Sequence, residues 1–112
     1  MSLLSNILSK EDIQENINNT FNLNNTEYFN LADKRDTNSI RCITDNKNIL
    51  DIILYKDQEK NEYLLDSRLF DNQMNSMLAS YLEILDEDLN ITNKCIDDVW
   101  IYADWVEVSK LN

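Results

Sequence analysis

The chain has 112 residues, a net charge of −11 and 43% hydrophobic residues, which suffices for one domain (1–112) with a single core. It contains no His, Gly or Pro, so it lacks the usual catalytic base, the commonest zinc ligand and any glycine-rich phosphate loop. No stretch approaches the roughly 20 apolar residues of a membrane span, and the N-terminus does not resemble a signal peptide. We therefore expect a cytoplasmic protein.

The N-terminal part of the chain predicts a helix. Residues 3–8 place apolar side chains at helical spacing, and a narrow apolar stripe continues over 10–21. Ser9 has the character of an N-cap with Asp12 as its capping-box partner. The stripe consists of Ile13, Ile17 and Phe21. We therefore expect an N-terminal helix.

The middle of the chain changes to the pattern of strands. Residues 26–38 fit either two turns of helix or an irregular segment. The three following segments, 39–44, 48–56 and 61–67, are short, rich in β-branched and aromatic residues, and separated by polar turns. They predict an antiparallel hairpin or meander, although a helix over 48–64 also fits the apolar run. Because glycine is absent, turns with positive φ should use Asn or Asp.

The next segment predicts a long amphipathic helix over about 67–88. Its apolar residues recur at steps of three and four, which fits one face of a helix. These residues are Phe70, Met74, Met77, Leu78, Tyr81, Leu82, Leu85 and Leu89. A polar connector follows, and residues 99–108 alternate as a strand with apolar side chains on both faces. The expected fold class is α+β: a small antiparallel sheet of about four strands, with the long helix packed on one face and an N-terminal helix.

Acidic residues concentrate near the C-terminus. Residues 83–107 carry eight carboxylates and one cation, Lys94. At the C-terminus of a helix each carboxylate costs roughly 0.3–1 kcal/mol. Unfavourable charge retained among large aromatic residues indicates a docking surface for a cationic partner. The predicted partner-binding residues are Glu83, Asp86, Glu87, Asp88, Asp97, Asp98, Trp100, Tyr102, Asp104 and Glu107.

Other chemistry finds less support in the sequence. Residues 86–97 place oxygen side chains at four positions of an EF-hand-type loop, but Ile91 stands where that loop needs glycine. Two isolated cysteines, Cys42 and Cys95, predict buried thiols. A small basic spot does not offset the net charge, so nucleic-acid binding is not expected. It comprises Lys34, Arg35 and Arg41. We predict neither an enzyme, nor a cofactor, nor a metal site.

The function that the sequence favours is a non-catalytic acidic binding protein that neutralises a basic protein partner. The profile resembles that of bacterial toxin-immunity proteins and phage-encoded inhibitors of defence enzymes, as a likeness of type and not of motif. The partner would be a toxin or a nuclease-like effector whose cationic site is blocked by charge complementarity. One alternative is a structural or assembly module, such as a homodimer that pairs through 99–108. A second is calcium binding by the acidic loop 86–97.

Overall fold

Three short helices precede an antiparallel sheet in the computed structural model, which describes residues 2–96 and 105–111. The helices are α1 (Leu3–Leu8), α2 (Glu11–Phe21) and α3 (Leu31–Arg35), with 3-10 turns at Glu27–Asn30 and Val108–Lys110. The strands are β1 (Ser39–Ile43), β2 (Ile49–Asp57), β3 (Tyr63–Phe70), β4 (Met77–Leu85), β5 (Ile91–Ile96) and β6 (Trp105–Glu107). The α+β class is thus confirmed.

The N-terminal helix lies where the sequence predicts it. The helix predicted over 10–21 is α2, whose stripe is buried, and the apolar patch over 3–8 forms a separate short helix, α1. The expected cap is wrong. Ser9 ends α1, where its hydroxyl donates to the Asn6 carbonyl at 2.7 Å, and Lys10 precedes α2 without a side-chain cap. Residues 26–38 take the helical alternative over most of their length.

The sheet is a meander in the order β1-β2-β3-β4-β5, and every described pair is antiparallel. The strands expected over 39–66 are confirmed, and the alternative helix over 48–64 is wrong. β6 pairs with the last residues of β2, from Tyr55 to Asp57. Residues 99–104 of the predicted C-terminal strand lie outside the described residues.

The long helix predicted over 67–88 is wrong, because that segment forms the hairpin of β3 and β4. The apolar residues near the turn are exposed: Met74 is 37%, Met77 53% and Leu78 52% exposed. Further along, Leu82 is buried on one face of β4, and Tyr81 and Leu85 on the other. A strand buried on both faces loses its polar alternation, so its apolar spacing imitates a helix. Within the described residues the sheet consequently has six strands and not about four.

The main core lies between the helices and one face of the sheet. Leu50, Ile52 and Leu54 alternate along β2 and are fully buried in the same cluster as Ile13 and Ile17 of α2. Each such side chain contributes about 1.5–3 kcal/mol when it is removed from water. The residues between them in β2 point to the opposite face, which the three helices leave uncovered. The helices therefore cover one side of the sheet.

The hairpin turns form without glycine. In three of them an aspartate carboxylate accepts two backbone amides of its own turn; these are Asp57, Asp71 and Asp86. Left-handed backbone occurs at Asn22 and Asp36, as expected for this composition. It also occurs in the turns at Lys47, Met74 and Leu89, with φ of 67°, 60° and 66°. Such a conformation costs a residue other than glycine roughly 1–2 kcal/mol.

Candidate functional site

Two hairpin turns bring carboxylates together at one end of the sheet. β2 and β4 run in the same direction, so the turns that follow them, 57–62 and 86–90, lie at the same end. The Asn61 amide, in the first turn, is 3.5 Å from the Glu87 carboxylate in the second. We call the exposed and half-exposed carboxylates of these two turns the acidic end. It comprises Glu59, Glu62, Asp86, Glu87 and Asp88.

The start of α2 adjoins the acidic end. The Lys10 ammonium donates to the carbonyl oxygen of Leu89 at 2.5 Å, which ties the helix to the second turn. Glu11 and Asp12 follow directly and are exposed. A helix N-terminus carries partial positive charge, so these two carboxylates are favourably placed. They also extend the negative surface beyond the two turns.

The ion pairs of the described residues lie elsewhere. Arg41 pairs with Asp51 at 2.7 Å, Arg68 with Asp66 at 3.1 Å, and Lys110 with Glu107 at 3.7 Å. Within residues 2–96 and 105–111, no Lys or Arg forms an ion pair with a carboxylate of the acidic end. The negative charge there is consequently available to an external partner.

The carboxylates of the acidic end are not equivalent. Asp86 accepts the amides of Asp88 at 3.0 Å and Asn90 at 2.9 Å, so it holds its turn in shape. Asp57, at the start of the other turn, is buried and accepts the amides of the second and third residues after it. The side chains of Glu87 and Asp88 point into solvent. These exposed side chains, with Glu59, can contact a partner without loss of turn structure.

Glu83 does not belong to this surface, which corrects its predicted position. Its side chain is 0% exposed and lies on the helix-facing side of β4, where the Asn16 amide of α2 is 3.4 Å from Oε2. Its Oε1 has no hydrogen-bond partner among the described residues. Burial raises the pKa of Glu83 to about 7, although Asn16, Tyr81 and Lys94 act in the opposite direction. A partner cannot reach this carboxyl group.

Of the remaining predicted residues, the structure describes only Glu107. Glu107, in β6, is half-buried and pairs with Lys110. The other five lie outside the described residues, so their role stays a prediction; they are Asp97, Asp98, Trp100, Tyr102 and Asp104. The described residues of the C-terminal strand, 105–107, pair with β2 of the same chain, so on that side they are not free for a second copy.

Neither a helix C-terminus near residue 88 nor an EF-hand-type loop over 86–97 forms among the described residues. No helix ends near residue 88, so no helix dipole opposes the carboxylates there. The EF-hand-type loop over 86–97 does not form, because 86–90 is a hairpin turn and Ile91–Ile96 is strand β5. In the part of the chain that the structure describes, no group of three or more His, Cys, Asp or Glu side chains could hold a metal ion.

The first turn of the acidic end is not among the predicted site residues. The strands predicted at 48–56 and 61–67 place Glu59 in a turn between them. A helix over 67–88 would separate Glu59 from Glu87, so the predicted fold does not bring the two residues together. Once β4 is recognised as a strand, the meander places both turns at one end.

The cysteines show no sign of a reactive site. Both are free, Cys42 is buried, and Cys95 is half-buried. Burial raises the pKa of Cys42 to about 11, which keeps it a protonated thiol at neutral pH. The expected buried thiol is therefore confirmed for Cys42.

Comparison of the chain with protein-family models, curated proteins and solved structures gives no significant match. Among the described helices, none has the length and apolar character needed to cross a membrane.

Proposed function

We propose that the protein is a non-catalytic binding module whose acidic end neutralises a cationic surface on a protein partner. The observation that supports this proposal is the juxtaposition of two turns whose exposed carboxylates form no ion pair with described lysines or arginines. The turns are held by backbone hydrogen bonds and by Asp57 and Asp86. Charges on ordered turns lose little conformational freedom on binding, which favours affinity.

The mechanism would be electrostatic steering followed by charge pairing. A net charge of −11 attracts a basic protein over about a Debye length, roughly 10 Å at 0.1 M salt. On contact, Glu59, Glu87 and Asp88 would pair with lysines and arginines that otherwise bind the partner's own anionic substrate. Association should therefore be fast and should weaken as salt increases. A basic toxin or nuclease-like effector is the partner class that fits.

The experiment compares two charge-reversal variants with equal change in net charge. The test variant is Glu87→Lys with Asp88→Lys. The control is Glu27→Lys with Asp33→Lys, which are exposed residues away from the acidic end. The wild-type chain is used to capture its partner from cells that produce it, and the affinity of the purified partner is then measured by calorimetry at several salt concentrations.

The proposal expects at least a tenfold loss of affinity in the test variant and a small loss in the control, because only the former changes the contact surface. Circular dichroism should show that both variants fold. Equal losses in the two variants would mean that net charge, and not the acidic end, governs binding. Unchanged affinity in the test variant would refute the proposal.

A further inference from the structure

Among the described residues, strand β1 forms an uncovered edge of the sheet. On its inner side it pairs with Ile49 to Ile53 of β2, and β6 pairs with β2 only beyond that stretch, at Tyr55 to Asp57. The outer side of β1 therefore has no neighbouring strand among the described residues. Ile43 on this edge is 67% exposed, although isolated edges usually avoid large apolar side chains.

The register of β1 shows which backbone groups face outwards. Hydrogen bonds from Leu54 N to Asn38 O, at 3.1 Å, and from Thr44 N to Asn48 O, at 2.8 Å, show that even-numbered residues of this segment bond to β2. The amides and carbonyls of Arg41 and Ile43 consequently point away from the sheet. No hydrogen bond to these two amides is present among the described residues.

A groove runs beside this edge, between β1 and the helical segment 27–35. Its volume is about 450 Å³, and its floor includes Tyr28, Leu31 and Cys42. The groove is lined by three cations and one carboxylate, in a chain whose net charge is −11. The cations are Lys34, Arg35 and Arg41, and the carboxylate is Glu27.

We infer that the edge of β1 binds an extended acidic segment of another protein by strand addition. The backbone of the incoming strand would bond to the free groups of Arg41 and Ile43. Side chains on one of its faces would meet the Arg41 guanidinium and Ile43. Those on its other face would enter the groove, where Lys34 and Arg35 lie. Lys34 and Arg35 form no ion pair among the described residues, so the groove face selects carboxylates over neutral or basic side chains, whereas Arg41 on the other face is already paired with Asp51.

A second copy of the chain is a poorer occupant. Antiparallel pairing of β1 with its own copy about Arg41 would place two Arg41 side chains opposite each other, which is destabilising, and pairing about Cys42 would place Arg41 opposite Ile43. In neither register does β1, Ser39–Ile43, bring a carboxylate to the edge. Asp51 holds Arg41 with two bonds at 2.7 and 2.8 Å, so it reduces both the repulsion between the two Arg41 side chains and the attraction of Arg41 for an incoming carboxylate. The preference for an acidic occupant therefore depends chiefly on Lys34 and Arg35. This inference goes beyond the acidic end and does not rest on it.

The test uses two blocked seven-residue peptides, one alternating Val with Glu and the other Val with Lys. Each is titrated into ¹⁵N-labelled full-length protein while amide chemical shifts and hydrogen exchange are recorded. The inference expects the Glu peptide to shift the amides of Arg41 and Ile43, to slow their exchange, and to bind at least tenfold more tightly than the Lys peptide. Equal binding of both peptides would overturn it, and so would shifts confined to other residues.

Variants then distinguish the contribution of backbone hydrogen bonds to binding from that of the charged side chains. Ile43→Pro removes an outward amide that β2 does not use, and it should abolish binding, whereas Ile43→Thr should retain most of it. Lys34→Glu with Arg35→Glu should weaken binding at least tenfold. Lys60→Glu with Lys110→Glu, an equal change in charge away from the groove, should not. If Ile43→Pro does not fold, the paired charge variants decide the matter alone.

Two further outcomes are informative. If sedimentation shows a dimer in which the Arg41 and Ile43 amides are already protected without peptide, β1 pairs with a second copy and the inference is wrong. Glu87→Lys with Asp88→Lys should leave binding of the Glu peptide unchanged. This variant therefore distinguishes a failure of the proposal for the acidic end from a failure of strand addition at β1.

Discussion

The buried carboxyl group of Glu83 should make the stability of the protein fall as the pH rises from about 4.5 to about 7. Its pKa rises from 4.5 to about 7, chiefly because burial disfavours the charged form. The neighbouring groups are the Asn16 amide and the Asp12 carboxylate of α2, the Tyr81 hydroxyl on β4, and Lys94 opposite on β5. The Asp12 charge opposes ionisation, while the other three groups favour it.

The sign follows from proton binding. The folded state holds the Glu83 proton more tightly than the unfolded state does, so stability falls as the pH rises from about 4.5, and the loss is complete above about 7. The full shift corresponds to about 3 kcal/mol, as an upper limit. Glu83→Gln removes the ionisation while keeping the shape. It should therefore exceed the wild type in stability at pH 8 by about 1–3 kcal/mol and approach it at pH 5.

Urea denaturation of both proteins between pH 5 and pH 8 measures this difference. The matched control is Glu87→Gln, which removes the same charge from an exposed side chain of the acidic end. That variant should follow the pH dependence of the wild type. If Glu83→Gln also runs parallel to the wild type over this range, Glu83 ionises freely in the folded state and the reasoning from burial is wrong.

Three further expectations concern the turns. Lys47→Gly should raise the free energy of unfolding by up to about 1 kcal/mol, because φ of 67° is unfavourable for lysine, whereas Lys47→Ala should change it little; chemical denaturation checks both. Asp71→Ala should cost about 1–2 kcal/mol through loss of the amide bonds at 3.2 and 2.8 Å, while the neighbouring Asn72→Ala should be near neutral by the same assay. Millimolar calcium should leave the melting temperature unchanged, since 86–97 forms a turn and a strand; a rise with calcium but not with magnesium would contradict that geometry.

The sequence predicts most directly the elements whose apolar residues follow one clear period. α2 shows a single apolar stripe, and β1 alternates between buried and exposed residues. The spacing of the apolar residues alone therefore identifies both elements. β3 is buried on both faces, at Leu64 and Leu65, but its short length between polar turns still predicts a strand.

β4 is different. Leu82 is covered on the face that the helices leave free, and Tyr81 and Leu85 are covered on the other, so no polar alternation remains. The polar residues of the turn 71–76 are the better signal for a hairpin, but they also fit the outer face of the helix predicted over 67–88.

The sequence predicts that the candidate site is acidic, but it does not predict where in the fold all of its residues lie. The excess of carboxylates over 83–107 is visible in the composition, and Glu87 and Asp88 are indeed exposed. That the turn 57–62 lies beside the turn 86–90 depends on which strands are adjacent, and the strand order is a property of the whole sheet. The burial of Glu83 could not be predicted either, because it depends on α2 packing against β4.

The absence of glycine connects the fold to the proposed surface. Without glycine the turns need another residue to bind their free amides, and Asp57, Asp71 and Asp86 serve that purpose. Some acidity at each turn is therefore structural and says nothing about a partner. The turn at 71–76 supplies a comparison, because it has the same aspartate but carries no further carboxylate. The turns at 57–62 and 86–90 do carry additional, exposed carboxylates with no described role in holding the backbone. Because Glu87 and Asp88 are not needed to hold their turn and Asp86 is, charge reversal must target Glu87 and Asp88 and must spare Asp86.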